Sequence, residues 1–380
     1  MDTMTDRTWA EIDLSALEHN YRTIRAALPD GCRFLALMKA NAYGHGAVAA
    51  AHCMERAGAD YLGVACFEEA RELRAAGVCM PILILGASDV REAVPLAELG
   101  VTQAISSLEM ARAFSQRLTA AGCTLRAHLK LDTGMGRTGF HTADGAAMAQ
   151  AAQALALPGL DFEGVFTHFA VSDEPDAGCR AYTHGQFSAF CSAVEQLEAA
   201  RGARFAIRHC ANSGAVLSYR DEMCLDMVRP GLLLYGMYPG SEHGGLTLRP
   251  VMQLKTRVAA ICEHAPGETV SYGRTFTCDR PMRLAVLPIG YADGLHRTLS
   301  NRMHVLLHGQ RVRQVGRICM DMCMADVTDL PECAVGDVAT LFGTDGDAVL
   351  PVEELAELAG TINYEMVCAP SRRIPRVYRR

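Results

Sequence analysis

Between residues 33 and 240 the chain alternates short apolar runs with amphipathic stretches of helical length, and this alternation restricts the fold more than any other feature. Strand patterns fall at Phe34–Met38, Tyr61–Val64, Ile82–Leu85, Gln103–Ile105, Leu125–Leu131, Phe162–Phe166, Phe205–Cys210 and Met227–Val228. Helical patterns separate them, among them Ala47–Ala57, Glu68–Ala76, Leu108–Ala121 and His184–Ala200. A helix over Ser15–Leu28, with Asp13 or Ser15 as its cap, comes first. Strands and helices in such alternation predict an α/β fold, a closed (β/α)8 TIM-type barrel. An open doubly wound sheet is the alternative, because periodicity does not register closure.

Near Tyr238-Pro239-Gly240 the pattern changes. Strand signals then follow one another, at Val251–Cys262, Arg283–Leu287, Met303–Leu307, Arg311–Val315, Cys323–Val327 and Val338–Phe342, with one short helix at Val352–Ala359. The expected division is a barrel domain over residues 1–240 and a β-rich domain over 241–380.

Active sites of such barrels gather at the carboxyl ends of the strands, and this chain places its unusual residues there. Lys39 ends the first strand and leads into the turn Ala42-Tyr43-Gly44-His45-Gly46. An amine at the exit of a buried strand is costly to keep charged, which lowers its pKa and frees its lone pair for Schiff-base chemistry. In the fifth strand His128, Lys130 and Asp132 share one face by the period of two. His168 follows the sixth strand, His209, Asn212 and Ser213 end the seventh, and Arg229 closes the eighth. Taken singly, Lys39 reads equally as a lysine reaching out of the strand end, Asn212-Ser213-Gly214 as a helix cap, and Arg229 as a partner of Asp226 or Glu222.

The segment Ala36-Leu37-Met38-Lys39-Ala40-Asn41-Ala42-Tyr43-Gly44-His45-Gly46 resembles the cofactor-lysine motif of the alanine racemases. The resemblance continues through Trp9-Ala10-Glu11-Ile12-Asp13, His128 to Arg137, Arg229-Pro230-Gly231, Ser271-Tyr272-Gly273, Gly290 to Gly294, Cys319-Met320-Asp321 and Asn363-Tyr364-Glu365. It implies a pyridoxal 5′-phosphate (PLP) enzyme that interconverts L- and D-alanine, with Lys39 carrying the cofactor and serving as one base. Proton transfer on both faces of a carbon needs a second group opposite, and the resemblance implies Tyr272. A tyrosine has an unperturbed pKa of about 10 and needs a cationic setting for that work.

By the same resemblance Arg229 faces the pyridine nitrogen, where an arginine cannot accept a proton. Tyr43, Asn212, Ser213, Gly231, Leu232 and Tyr364 are implied as phosphate ligands, helix amino ends being suited to anions. His168 joins the cofactor site, and Arg137 the cofactor and the substrate carboxylate. The backbone of Met320 is implied to touch that carboxylate, and Tyr291, Arg317 and Asp321 to line the substrate entrance. A carbamylated Lys130 is implied, with an unmodified Lys130 paired to Asp132 as the alternative. Tyr272 and Met320 are implied to act on the other subunit of a homodimer.

Two other racemase readings, for serine or for several amino acids, share this pattern; Tyr364 is expected to crowd a larger side chain. A decarboxylase on the same barrel would set a glutamate where Arg229 stands. A non-catalytic PLP carrier would have no use for Tyr272.

The net charge of −7 and the absence of a basic cluster argue against nucleic acid or an anionic membrane as a partner. No stretch reaches the roughly 20 apolar residues of a membrane span, and Met1 to Arg7 carry no apolar leader core, so a cytoplasmic protein is expected. The 15 cysteines are scattered without paired Cys-x-x-Cys motifs, so neither a metal site nor a disulfide framework is expected, and reduced, buried thiols are.

Overall fold

The computed structural model describes residues 7–380; Met1 to Asp6, most of the segment read above for a leader, lie outside the described residues. Eight parallel strands form the path of the first sheet: β1 (Arg33–Leu37), β2 (Tyr61–Val64), β3 (Ile82–Ile84), β4 (Thr102–Ile105), β5 (Leu125–Asp132), β6 (Leu160–Phe166), β7 (Ile207–His209) and β8 (Met227–Val228), with the short strand Phe140–His141 pairing off the path beside β5. They pair in the order β8-β1-β2-β3-β4-β5-β6-β7. The seam between β7 and β8 is bridged by Asp226 N–H to the Arg208 carbonyl (3.1 Å) and Arg229 N–H to the Ala211 carbonyl (2.9 Å). The sheet therefore closes, and the open doubly wound alternative falls.

The apolar runs explain the strands. Phe34, Leu35, Leu62, Val64, Leu83, Ile84, Leu129 and Val165 are all buried, as parallel strands covered by helices require. Truncating one such side chain to alanine costs about 2–5 kcal/mol. The helices begin and end where local chemistry dictates. Ser107 accepts from Met110 N–H to start Leu108–Ala121, and Gly122, at φ 66°, ends it. Asp176 starts Ala177–Arg201 well before the expected His184.

The described residues up to Ala16, Tyr43–Gly46 and Pro250–Arg380 form one compact unit, and Leu17–Ala42 with Ala47–Arg249 form the other. The first holds a ten-stranded sheet. The strand Thr8–Asp13 pairs antiparallel with Met252–Arg257 and parallel with Arg376–Arg379. The expected strand Val251–Cys262 is two, Met252–Arg257 and Ala260–His264. His308 and Gly309, both at positive φ, make the two-residue turn between His304–Leu307 and Gln310–Val315. Val270, Cys278, Met282, Leu284 and Val315 pack together in this unit.

Among the described residues no cysteine forms a disulfide. The expectation that they are buried holds only in part: Cys210, Cys278 and Cys323 are buried, but Cys79, Cys262 and Cys368 are exposed. Cys79 follows a turn, Cys262 lies on the edge strand Ala260–His264, and Cys368 ends the helix Asn363–Cys368. Among the described residues, no helix is long and apolar enough to cross a membrane.

Candidate active site

At the carboxyl ends of the barrel strands lies a cavity of about 290 Å³. Leu37, Leu85 and Phe166 give it apolar walls, and Lys39, Lys130, Arg137 and Arg229 face it with four cationic side chains. Among the described residues no carboxylate lines it. The nearby Asp132 is occupied: its oxygens accept from the backbone N–H groups of Gly134, Met135, Gly136 and Arg137 at 2.9–3.1 Å. Burial pushes its carboxyl up, but those N–H groups and Lys130 hold it below the ordinary value. Asp132 thus shapes the loop that brings Arg137 to the cavity, and it makes no ion pair with Lys130.

Lys39 stands at the point where β1 breaks. The next four residues, Ala40, Asn41, Ala42 and Tyr43, all have φ between 51° and 54°, a turn of left-handed helix without glycine. Each such residue costs about 1–2 kcal/mol, so surrounding contacts must hold the turn. Ala40 N–H donates to Glu69 (2.6 Å), Ala42 N–H to the Met38 carbonyl (2.7 Å), and the Asn41 side chain accepts from Ala47 N–H (2.8 Å).

Lys130 is buried, donates to the Leu131 carbonyl at 2.8 Å, and lies 5.2 Å from the centre of the Phe166 ring. Burial, reinforced by Arg229 and Arg137, pushes its amine down to about 7. Arg229 is buried too. It donates to His209 Nδ1 (2.8 Å), the Thr167 carbonyl (2.7 Å) and the Cys210 carbonyl (3.1 Å), and it lies 3.4 Å from His168 Nδ1. The two carboxylates read above as its alternative partners are engaged elsewhere, Asp226 with Arg208 and Glu222 with His184. Burial, then Arg229, Lys130, Arg137 and Lys39, hold the His168 ring well below its usual pKa. Among the described residues the Arg137 guanidinium makes no hydrogen bond or ion pair, which leaves it available to a ligand.

Asn212 caps the helix Ser213–Ser218 by accepting from Ala215 N–H (3.1 Å), and it also accepts from the Ser172 hydroxyl (2.7 Å). Its side chain is thus engaged within the protein. Gly231 and Leu232 open the short helix Gly231–Leu234 after β8, so their N–H groups have no acceptor inside that helix.

The β-rich unit carries the remaining residues. Tyr43 and Tyr364 stand with ring centres 6.0 Å apart, and burial, then Tyr364, raises the Tyr43 hydroxyl far above its usual pKa. Tyr272 is 69% exposed and opens a short turn after Ser271, whose φ is 66°. The Ser271 hydroxyl donates to the Arg317 carbonyl (2.6 Å), and a Cβ at Gly273 would fall 2.7 Å from the Arg317 guanidinium. Met320 and Tyr291 are exposed, and the Met320 carbonyl accepts from Ala292 N–H at 3.0 Å. Asp321 pairs with Arg373 at 2.8 Å.

The signature described as "Alanine racemase, N-terminal domain" matches residues 12–239, and that described as "Alanine racemase, C-terminal domain" matches residues 251–378. The chain belongs to the alanine racemase family. It is 48% identical to an alanine racemase of Desulfovibrio desulfuricans over 97% of each chain, and 42% identical to one of Methanococcus maripaludis over 97% of this chain and 98% of that one. Among solved structures, the alanine racemase of Clostridium difficile 630 superposes with a TM-score of 0.93 at 37% identity, covering 99% of this chain and 96% of that one. That of Bacillus anthracis, solved with bound L-Ala-P, gives 0.90 at 34%, covering 98% and 95%.

In this alanine racemase fold, residues that sequence reasoning missed complete the cavity. Phe166 lies beneath both Lys130 and Arg229 and stacks on His209 at 4.8 Å. As the last apolar residue of β6 it reads as core, and only its position at the strand end hints otherwise.

Proposed function

We propose that this protein racemises alanine with PLP held on Lys39, and that one observation carries the reading. The barrel-end cavity gathers four basic side chains around apolar walls, with no lining carboxylate among the described residues. That donor set fits a flat, apolar-faced, phosphorylated ring. Lys39 would bind it covalently, and Arg229 would face its ring nitrogen. Arg137 and His168 would flank it, and the amides of Ser213, Gly231 and Leu232 would meet its phosphate together with Tyr43, Tyr364 and Asn212. When bound, PLP supplies an electron sink for the substrate α-carbon.

The chain's own residues supply the rest. Lys39 Nζ takes or returns the substrate α-proton on one face. The Tyr272 hydroxyl does so on the other, and one base on each face permits inversion. Arg137 orients the substrate carboxylate, helped by Met320 N–H. A lysine lowered to about 7 is largely neutral in mildly alkaline solution, and its lone pair can take up CO2 with loss of a proton. This supports a carbamylated Lys130, whose anion would steady Arg137. Tyr291, Arg317 and Asp321 would frame the entrance.

Tyr272 and Met320 are exposed, which supports a head-to-tail homodimer in which Tyr272 of the partner subunit completes each site. Fifteen cysteines with no disulfide among the described residues suit a reducing cytoplasm, where D-alanine would supply peptidoglycan.

The test follows α-proton exchange and chirality together on L-alanine in heavy water. Deuterium uptake with D-alanine approaching equality supports the reading. Exchange without inversion refutes Tyr272 as the opposing base. Faster turnover of L-serine than of L-alanine would move the substrate to serine.

A further inference from the structure

A line of polar side chains runs from Arg229 into the barrel core toward the amino ends of the strands. Arg229 is buried, makes no ion pair among the described residues, and uses only neutral acceptors. An arginine can only donate, so His209 Nδ1 accepts from it and the ring proton of His209 sits on Nε2. That nitrogen lies 2.8 Å from His128 Nδ1. His128 Nδ1 therefore accepts in turn, which puts the proton of His128 on its own Nε2. The N–H so defined faces Glu163 Oε1 at 3.5 Å and has no nearer partner among the described residues. The same Glu163 oxygen accepts from the Thr102 hydroxyl (3.1 Å) and the Tyr61 hydroxyl (3.3 Å), and, against the effect of burial, Arg126 also lowers the Glu163 pKa through its charge.

Two further features indicate that the line is built in. Gly164 makes room for it, since a Cβ there would fall 2.5 Å from the His128 ring. Both rings are fully buried, and burial holds each below its usual pKa, in keeping with the neutral forms that the donor order requires.

We propose that Glu163 is the counter-charge of Arg229, coupled to it through His209 and His128 in a fixed donor order. His128 and Glu163 are then positioning residues for the guanidinium. This rests on the reading of Arg229 given above, and it explains how a buried arginine can stand at the cavity without a carboxylate in contact. Two neutral rings carry the polarisation that a direct ion pair would otherwise supply, and they keep the anion away from the ligand.

The test uses holoenzyme labelled with 15N-histidine. Long-range nitrogen–proton correlation is expected to find His209 and His128 as neutral Nε2–H tautomers between about pH 6 and 9. Glu163→Gln keeps an oxygen for Tyr61 and Thr102 but removes the charge. It is expected to move the His128 Nε2 proton upfield and to lower kcat roughly tenfold, with KM within about twofold. His128→Gln can accept from His209 and donate to Glu163 in the same order, and should keep kcat within about threefold, whereas His128→Leu should lose on the order of tenfold or more. If His128→Leu does not fold, the two amide variants decide. A ring proton on His209 Nδ1, or wild-type kcat in Glu163→Gln, overturns the proposal. The tautomer measurement needs no turnover, so it stands apart from any failure of the racemase reading.

Discussion

The barrel-end cavity and the face of the β-rich unit around Tyr272 solve opposite problems. In the cavity Arg229 is buried and bonded to two carbonyls and a histidine, and Lys130 is buried on the face of Phe166. Their orientation is set before any ligand arrives. Tyr272 is 69% exposed and Met320 is 53% exposed, and they stand on turns that are themselves well anchored through Ser271 and Ala292. Burial tunes groups that must hold and polarise, while exposure leaves a group available to a second body. On the proposed reading, a single chain would prepare one half of the chemistry in depth and display the other half at its surface.

Removing the cavity's amine should have the largest effect. Lys39→Ala is expected to abolish the cofactor's lysine-linked visible absorbance and to lower kcat on the order of 10⁴-fold. Full activity in that variant would remove the barrel half of the contrast altogether.

The exposed half is tested next. Tyr272→Phe should retain cofactor absorbance and lower kcat about 10²- to 10⁴-fold. Its melting temperature should change little, because so exposed a ring buries little area. Mixing this variant with Lys39→Ala sharpens the contrast. If each site takes its lysine from one subunit and its tyrosine from the other, half the reassorted dimers carry one intact site. About a quarter of wild-type activity should then return. No recovery after confirmed subunit exchange would place both groups on one chain and end the division of labour.

Lys130 measures how deeply the cavity tunes its groups. With a folded-state pKa of about 7, against about 10.4 when unfolded, the folded chain binds fewer protons than the unfolded chain between those values. Stability should therefore rise with pH across that window. The contribution is full above about pH 10.4 and lost as the pH falls through about 7, by up to about 5 kcal/mol as an upper bound. Lys130→Met should flatten that rise in urea unfolding carried out in CO2-free buffer, where the amine stays unmodified. An equal slope in both proteins would mean that Lys130 titrates as if in water.

The two halves were unequally legible in the sequence. Barrel strands appear as apolar runs because both their faces are covered, and Ala47–Ala57 and Leu108–Ala121 match their patterns residue for residue. The helices Ala93–Glu98 and Gly145–Leu155 escaped, the first being short and the second largely alanine, with little polar face to mark a period. Thr8–Asp13 was legible as a motif, but its partners lie some 240 residues or more along the chain. At the site, residues at strand ends could be named from the period of two and the resemblance. The His128–His209 contact spans 81 residues and two strands, so no local pattern carries it. Phe166 looks like any core phenylalanine until its ring is seen beneath Lys130 and Arg229.

Least legible of all was the left-handed turn after Lys39, because Ala-Asn-Ala-Tyr is unremarkable sequence for a right-handed one. It also supplies the smallest predicted effect. Ala40 is exposed and sits at φ 52°, so its methyl group is strained without burying anything. Ala40→Gly relieves a penalty of about 1–2 kcal/mol but adds unfolded-chain entropy worth about 0.5–1 kcal/mol. The expected net is a gain of about 0.5–1 kcal/mol in urea unfolding. The same change loosens the backbone beside Lys39, so the variant should release PLP faster while folding more tightly. A gain in stability with unchanged PLP release would show that the bonds through Glu69, Met38 and Asn41 fix the lysine by themselves. A loss of stability would mean that the Ala40 methyl group makes contacts that outweigh its strain.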